Sequence, residues 1–239
     1  MKVFRIITIF VLLSVIAAQP QKVLNAISPV EFFPPDSKPY GIPYNQLGKV
    51  WMEWAIKLPY AEGPNGDGPR QDCIMGETDS IIFLINNKGS GVRESDCTIP
   101  TNKSILFPVL FEECDYGSVP SPTDAQLIEC ADFRNPNANI IFTVDGNLIY
   151  QGVHKNYENY ARSDFFNLNI PEDNLFGASG SQLGSHRALI DGTFMITHPL
   201  AAGSHEIIIK WTQLADSAQA TGQVYETRDI IYRINVTDS

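Results

Sequence analysis

No CxxC pair, G-x-S-x-G elbow, phosphate loop or dinucleotide fingerprint occurs in this 239-residue sequence. Without paired CxxC spacing a structural zinc site has no ordinary ligand set. The Gly/Ser stretch GASGSQLG has the wrong spacing for a nucleophile elbow. His205-Glu206 opens like a zinc-protease helix, but the second histidine position holds Ile209 and the segment alternates like a strand. Basic residues are scarce, 17 Lys and Arg against 27 Asp and Glu, for a net charge of -10. Nucleic acid and anionic lipid both require clustered Lys and Arg, so both are excluded as partners. Histidine is equally sparse. His186, His198 and His205 form a candidate copper or zinc cluster, against ordinary solvation at loops and strand ends, and His154 stands apart.

Long apolar runs are missing except at the start. Lys2 and Arg5 precede an apolar stretch from Ile6 to Ala18 interrupted by Thr8 and Ser14. A basic start, a short apolar run and small residues at its end describe a secretory signal peptide, residues 1–18, with cleavage after Ala17 or Ala18. The run falls short of the ~20 apolar residues that span a bilayer, and an uncleaved anchor is the competing account. The expected location is secreted, extracellular or periplasmic, with no membrane span after cleavage.

Cysteine is limited to Cys73, Cys97, Cys114 and Cys130, which in an oxidising compartment suits disulfides. Three pairings are open. Cys73–Cys97 and Cys114–Cys130 are favoured, because the shorter loops close first and each brackets one supersecondary unit.

What is present is mostly strand. Residues 19–46 are Pro-rich and without periodicity, an extended arm that either wraps the domain or stays mobile. Leu47, Val50, Trp51, Trp54, Ala55 and Leu58 then fall on one face of a helix, with Asn45 to cap it and Pro59 to stop it. Both indoles share that stripe with aliphatic residues, so the helix is expected to lie on a sheet and not to offer a ligand platform. SIIFLIN (80–86) and SILFPVLF (104–111) read as buried strands, Pro108 marking an edge or a bulge. IIFTVD (140–145) leads through Asp145-Gly146, a hairpin signal, into 147–151. Segments 162–170, 189–197, 205–212 and 230–236 continue the series, and Ser121-Pro122-Thr123-Asp124 offers the start of a second helix reaching about Ala131. The expectation is a single mainly β domain over 47–239: an antiparallel sandwich, immunoglobulin-like or jelly-roll, with one or two short helices packed on it.

Candidate sites are few. Glu113, flanked by Glu112 and Asp115, is the best carboxylate for an acid pair, since glycoside hydrolysis needs two carboxyl groups roughly 5–10 Å apart. Asp145 and Asp191 each precede glycine and read as turn residues. The loop containing Asn65 and Asp67, with Asp72 beyond it, is an oxygen-rich calcium candidate without EF-hand spacing, and a Gly/Pro turn explains it as well. No other cofactor is indicated. Tyr157, Tyr160, Phe165 and Phe166 lie near a Gly/Ser-rich loop, 171–187, which contains His186. A long loop beside aromatics is where a sandwich places a ligand surface, although a disordered connection fits the composition too. Asn102 and Asn235 head glycosylation sequons.

The order of GKVWMEWAIKLP, Cys73 with Gly76, IIFLIN, Cys97-Thr-Ile-Pro, Lys103, ILFPVL, Glu113-Cys114, VDG, IDGTFM and PLAAGSHEIII resembles a family of uncharacterised secreted proteins of bacteria and archaea. The resemblance covers most of the chain after the leader and implies a disulfide-bonded, mainly β secreted domain with nothing catalytic. Thr101-Asn102 departs from it, standing where a small residue and glycine are expected. Asparagine tolerates the same left-handed turn. Three functions remain in view. The first is a non-enzymatic module contacting protein or envelope components. The second is a carbohydrate-binding module using the aromatics and the 171–187 loop, and the third a secreted hydrolase built on Glu113.

Overall fold

In the last strand Tyr232, Ile234 and Val236 are buried while Arg233 and Asn235 face water, the period of two that a half-buried strand imposes. The computed structural model describes residues 29–63, 66, 71–86, 91–118, 123–134, 138–214 and 224–238. The leader and residues 19–28 of the arm lie outside them, as do Asn65, Asp67, Ser121 and Pro122.

Two sheets are packed together. The first has the order β1 (Ile74–Glu77), β2 (Ile81–Ile85), β4 (Ser104–Asp115), β9 (Gly184–Ile196), β7 (Tyr160–Arg162), with β8 (Phe166–Ile170) also on β9. The second runs β3 (Val92–Pro100), β11 (Val224–Thr237), β10 (Gly203–Leu214), β5 (Ala138–Val144), β6 (Asn147–Val153). This is the expected sandwich, mostly antiparallel. Two pairings depart from that: β2 with β4 and β3 with β11 are parallel.

Between the sheets lie Ile82, Leu84, Ile105, Phe107 and Met195 from the first, against Ile99, Phe142, Ile207, Ile209, Tyr232 and Ile234 from the second. The opposite face of the first sheet is covered by α1 (Leu47–Ala55), whose Leu47, Trp51, Met52 and Ala55 pack on Phe83, Leu106, Ile190, Phe194 and Ile196. Strand β2 is therefore covered on both faces, which is why it reads as IIFLI without alternation. Trp51 has no exposed surface and its Nε1–H donates to the Leu84 carbonyl at 2.8 Å. Trp54 stacks on Phe83, with ring centroids 5.5 Å apart. Asn45 does not cap this helix. It belongs to a preceding 3-10 turn, Tyr44–Gln46, that already supplies a helical entry, and its amide reaches the Arg162 carbonyl instead.

The described part of the arm wraps the domain. Phe32 bridges to Thr197, Phe33 N–H donates to the Ile196 carbonyl at 3.0 Å, and the Phe32 ring meets Phe107 and Phe142 edge-on. Helix α2 (Asp124–Arg134) begins at Thr123, whose Oγ1 accepts the Gln126 N–H at 3.3 Å, and runs past Ala131. Leu127 and Ala131 pack on Cys114 and Leu189. Both disulfides pair as expected: Cys73–Cys97 ties the entry of β1 to β3, across the two sheets, and Cys114–Cys130 ties β4 to α2.

Asp145-Gly146 forms the two-residue hairpin turn, with φ of 49 and 75°. Asp191-Gly192, read as a turn, sits instead inside β9, and Asp191 is fully buried. Its neighbour β4 carries a bulge between Pro108 and Leu110, so the backbone crowds there: a Cβ on Gly192 would lie 2.4 Å from the Leu110 carbonyl oxygen. Asn102 lies in the turn between β3 and β4 but is not left-handed, since the non-glycine residues with positive φ among those described are Tyr40 and Asp145.

Candidate binding cleft

Pro108 opens the site. It has no N–H to give a ladder, and the parallel pairing of β2 with β4 reaches only Phe83 and Leu106 before the two strands part. Into the gap open Ile85 from β2, Asn86 just past its end, and the run Pro108 to Glu113 from β4. The second sheet provides one wall, with Arg93, Trp211, Arg228 and Ile230. Ile170 and the following loop, through Leu175, Phe176, Ala178 and Gln182, provide the other. The cleft so enclosed is about 520 Å³, inside the roughly 300–1,000 Å³ typical of ligand pockets.

The loop wall is held by one buried side chain. Asn174 donates through Nδ2 to the carbonyls of Pro171 (2.9 Å) and Ala178 (3.0 Å), and its Oδ1 accepts the N–H groups of Phe176 (3.1 Å) and Ala178 (3.0 Å). Tyr60 N–H to Asp173 Oδ1 at 2.8 Å joins the loop to the chain after α1. The loop is shorter than its composition suggested: it ends at Leu183, and residues 184–187 pair with β8 as the start of β9.

Charges of both signs meet at the cleft. Arg93 and Glu113 are each 8% exposed, and the Arg228 guanidinium lies over the Trp211 ring, 5.2 Å from its centre. Asp115, buried, uses Oδ1 to accept the N–H groups of Gly117 (2.5 Å) and Ser118 (3.0 Å), closing the turn after β4. Glu112 and Glu113, adjacent on a strand, point to opposite faces.

The predicted ligand aromatics are not brought together. Tyr157 is buried and stacks on Tyr150 at 4.3 Å. Tyr160 meets His154 edge-on, and burial, helped by Asp191, pushes its hydroxyl pKa far up. Phe165 lies under the Arg187 guanidinium, 4.5 Å away, and Phe166 joins the core beneath α1. His186 Nε2 is 3.0 Å from the Leu183 carbonyl. None of them lines the cleft.

The three candidate histidines are not brought together either: His198 and His205 border one small cavity and His186 lies outside it. His198 stacks on Phe33, and His205 lies between Asp145 Oδ2 (2.8 Å) and the Ala201 carbonyl (3.0 Å). Among the described residues no group of three or more His, Cys, Asp or Glu is placed to hold a metal ion. Asp191, the other buried carboxylate, receives the Arg162 Nε (2.9 Å) and Nη2 (2.6 Å), and Arg162 reaches on to Asp132 of α2. Asn102 and Asn235 are both exposed. No described helix is long and apolar enough to cross a membrane.

No family model and no curated protein matches this chain.

Sequence reasoning placed Glu113 and the loop but missed Arg93 and Arg228. For Arg93 the signal was present: along VRESDCTIP it shares the inward parity of Cys97 and Ile99. Arg228 had none, since nothing in the sequence places it over Trp211.

Proposed function

We propose that this chain is an exported, non-enzymatic β-sandwich that acts through protein or envelope contacts and takes its partner in the cleft between β2 and β4. The observation that carries the reading is that cleft: it is walled by a loop pinned through Asn174 and mixes an apolar lining with a few charged groups, as recognition sites do. Export is supported by the basic-then-apolar start of the sequence and by two disulfides. The resemblance to a secreted, disulfide-bonded family agrees with it. N-terminal sequencing of the mature protein is expected to begin at Ala18 or Gln19, and an intact Met1 overturns export with cleavage.

The partner site is tested with a photo-crosslinking residue at position 176, where Phe176 is 41% exposed in the cleft, compared with position 148 on the outer face of β6. In the native extracellular medium, one discrete adduct is expected from 176 and none from 148. No adduct at 176, or equal labelling at both, overturns the reading.

A hydrolase is the second reading. Glu113 and Asp115 lie on one face of β4, two residues and so roughly 7 Å apart, and both border the cleft. Asp115 is already engaged in its turn, and Glu112, the other carboxylate in the lining, points to the opposite face of β4 from Glu113. Turnover abolished by Glu113→Gln in a folded protein would reverse the order of the two readings. The aromatics that a carbohydrate-binding reading needs as a platform lie apart.

A further inference from the structure

We infer that the cleft receives an extended, apolar segment of another polypeptide, which pairs with the second half of β4 as an added strand. This rests on the cleft being the partner site. Strands β2 and β4 start as neighbours and both continue after they separate, β2 to Ile85 and β4 to Asp115. An extended chain laid in the gap can therefore be added along the open edge of β4, while on the β2 side the Leu84 carbonyl is already taken by Trp51.

The backbone of β4 is turned the right way for it. Residues of an antiparallel strand address their two neighbours alternately. Tyr116 N–H donates to the Arg187 carbonyl of β9 at 3.0 Å, and the Leu110 carbonyl crowds Gly192 of the same strand. The even-numbered residues from 110 to 116 thus face β9, and Phe111 directs its N–H and C=O toward the cleft. Side chains of an inserted strand alternate between two walls. Trp211 and Ile230 form one and Leu175 and Phe176 the other, so successive positions of the segment meet apolar surface. A strand covered on both faces is apolar throughout, as β2 itself is. Six residues of β4, from Pro108 to Glu113, line the gap, enough at ~3.3 Å each for a segment of about six residues.

Charge narrows the occupant further. Arg93 and Arg228 stand against Glu112, Glu113 and Asp115, a mixture that attracts neither a polyanion nor a polycation and suits a neutral peptide with polar flanks. Main-chain pairing supplies affinity in such complexes and side-chain sockets supply selectivity.

The test pans a displayed library of random heptapeptides against the mature, oxidised protein. Selected peptides are then titrated by fluorescence anisotropy. They are expected to share a run of four or more apolar residues. Methylating the backbone nitrogen at alternate positions is expected to weaken binding by at least about tenfold, and methylation at the positions between to change it little. Phe176→Glu is expected to weaken binding by a similar factor.

If no peptide is selected, or if methylation acts without that alternation, strand addition is overturned, while crosslinking at 176 still judges the cleft on its own. Peptides that bind Phe176→Glu as they bind the wild type overturn the cleft itself. A dimer that the peptide dissociates in sedimentation makes the occupant a second copy and also overturns the proposal.

Discussion

His154 has no exposed surface, and its ring lies by the Leu110 backbone with no well-formed hydrogen bond at either nitrogen among the described residues. Burial, with a small push from Lys155, drives its pKa down to about 4, against a weaker opposing pull from the Leu110 carbonyl. The ring is thus neutral in the folded chain, whereas the unfolded chain protonates it near 6.5. Stability from this difference is complete above pH 6.5 and is lost as pH falls toward 4, in all on the order of 3 kcal/mol. Urea unfolding at pH 7 and pH 4.5 should show this loss in the wild type and a smaller one in His154→Leu; equal losses would refute the assignment. Tyr232 poses a related problem in the core between the sheets. Among the described residues its hydroxyl is buried without a partner, and so is that of Ser95, its register neighbour on β3. A buried hydroxyl without a partner costs about 1–3 kcal/mol, so Tyr232→Phe is expected to raise stability by ~1 kcal/mol. A marked loss in the same titration would mean that the hydroxyl has a partner, such as a bound water.

Helix α1 is fixed to the first sheet by more than apolar contact, because Trp51 donates to a carbonyl of β2 from a dry interface. Trp51→Phe keeps most of the aromatic surface but strands the Leu84 carbonyl, at a cost of about 1–3 kcal/mol. Its checks are the urea midpoint and loss of the emission least accessible to acrylamide. The stripe of Leu47, Trp51 and Ala55 made this helix legible, as did the unbroken apolar run of β2, because both patterns record burial directly. Strand β3 was hidden for the opposite reason: its inward positions include Arg93 and Ser95, so polarity masked the alternation. Asp191-Gly192 misled because the same dipeptide serves a turn at 145–146 and a close strand approach at 191–192, and only the bulge in β4 distinguishes them. The loop wall of the cleft and Glu113 were visible as composition and as a charge at a strand end. The gap between β2 and β4 was not, since it depends on where two distant strands stop pairing. Gly192→Ala would press a methyl against the Leu110 carbonyl, and is expected to cost at least ~2 kcal/mol. A shift in Tm checks it, and an unchanged Tm would mean that the bulge can relax.

Across the whole molecule, layers are joined at two kinds of seam. Helix α2 is held to β4 by Cys114–Cys130, to β7 by Arg162 on Asp132, to β9 by Arg187 on Asp124, and to the turn after β4 by Tyr116 on Asp124. Around Cys73–Cys97, which links the segment entering β1 to β3, the sheets meet through apolar packing. On the chain-entropy account each bridge contributes about 3 kcal/mol, because the closed loops of 24 and 16 residues differ little in the logarithm. The two bridges should differ instead in what local opening follows their removal. Without Cys114–Cys130, α2 keeps its polar contacts. Without Cys73–Cys97, β3 is still paired to β11, but the first sheet loses its disulfide cross-link to the strand that carries Arg93 to the cleft. The alanine pair Cys73→Ala and Cys97→Ala is therefore expected to speed amide exchange in β1 and β3 and to reduce crosslinking at position 176 under conditions where the protein remains folded. The pair Cys114→Ala and Cys130→Ala is expected to lower global stability by a similar amount while leaving crosslinking at 176 intact. Equal effects of both pairs on the cleft would mean that its width is set by the fold as a whole, not by the bridge between the sheets.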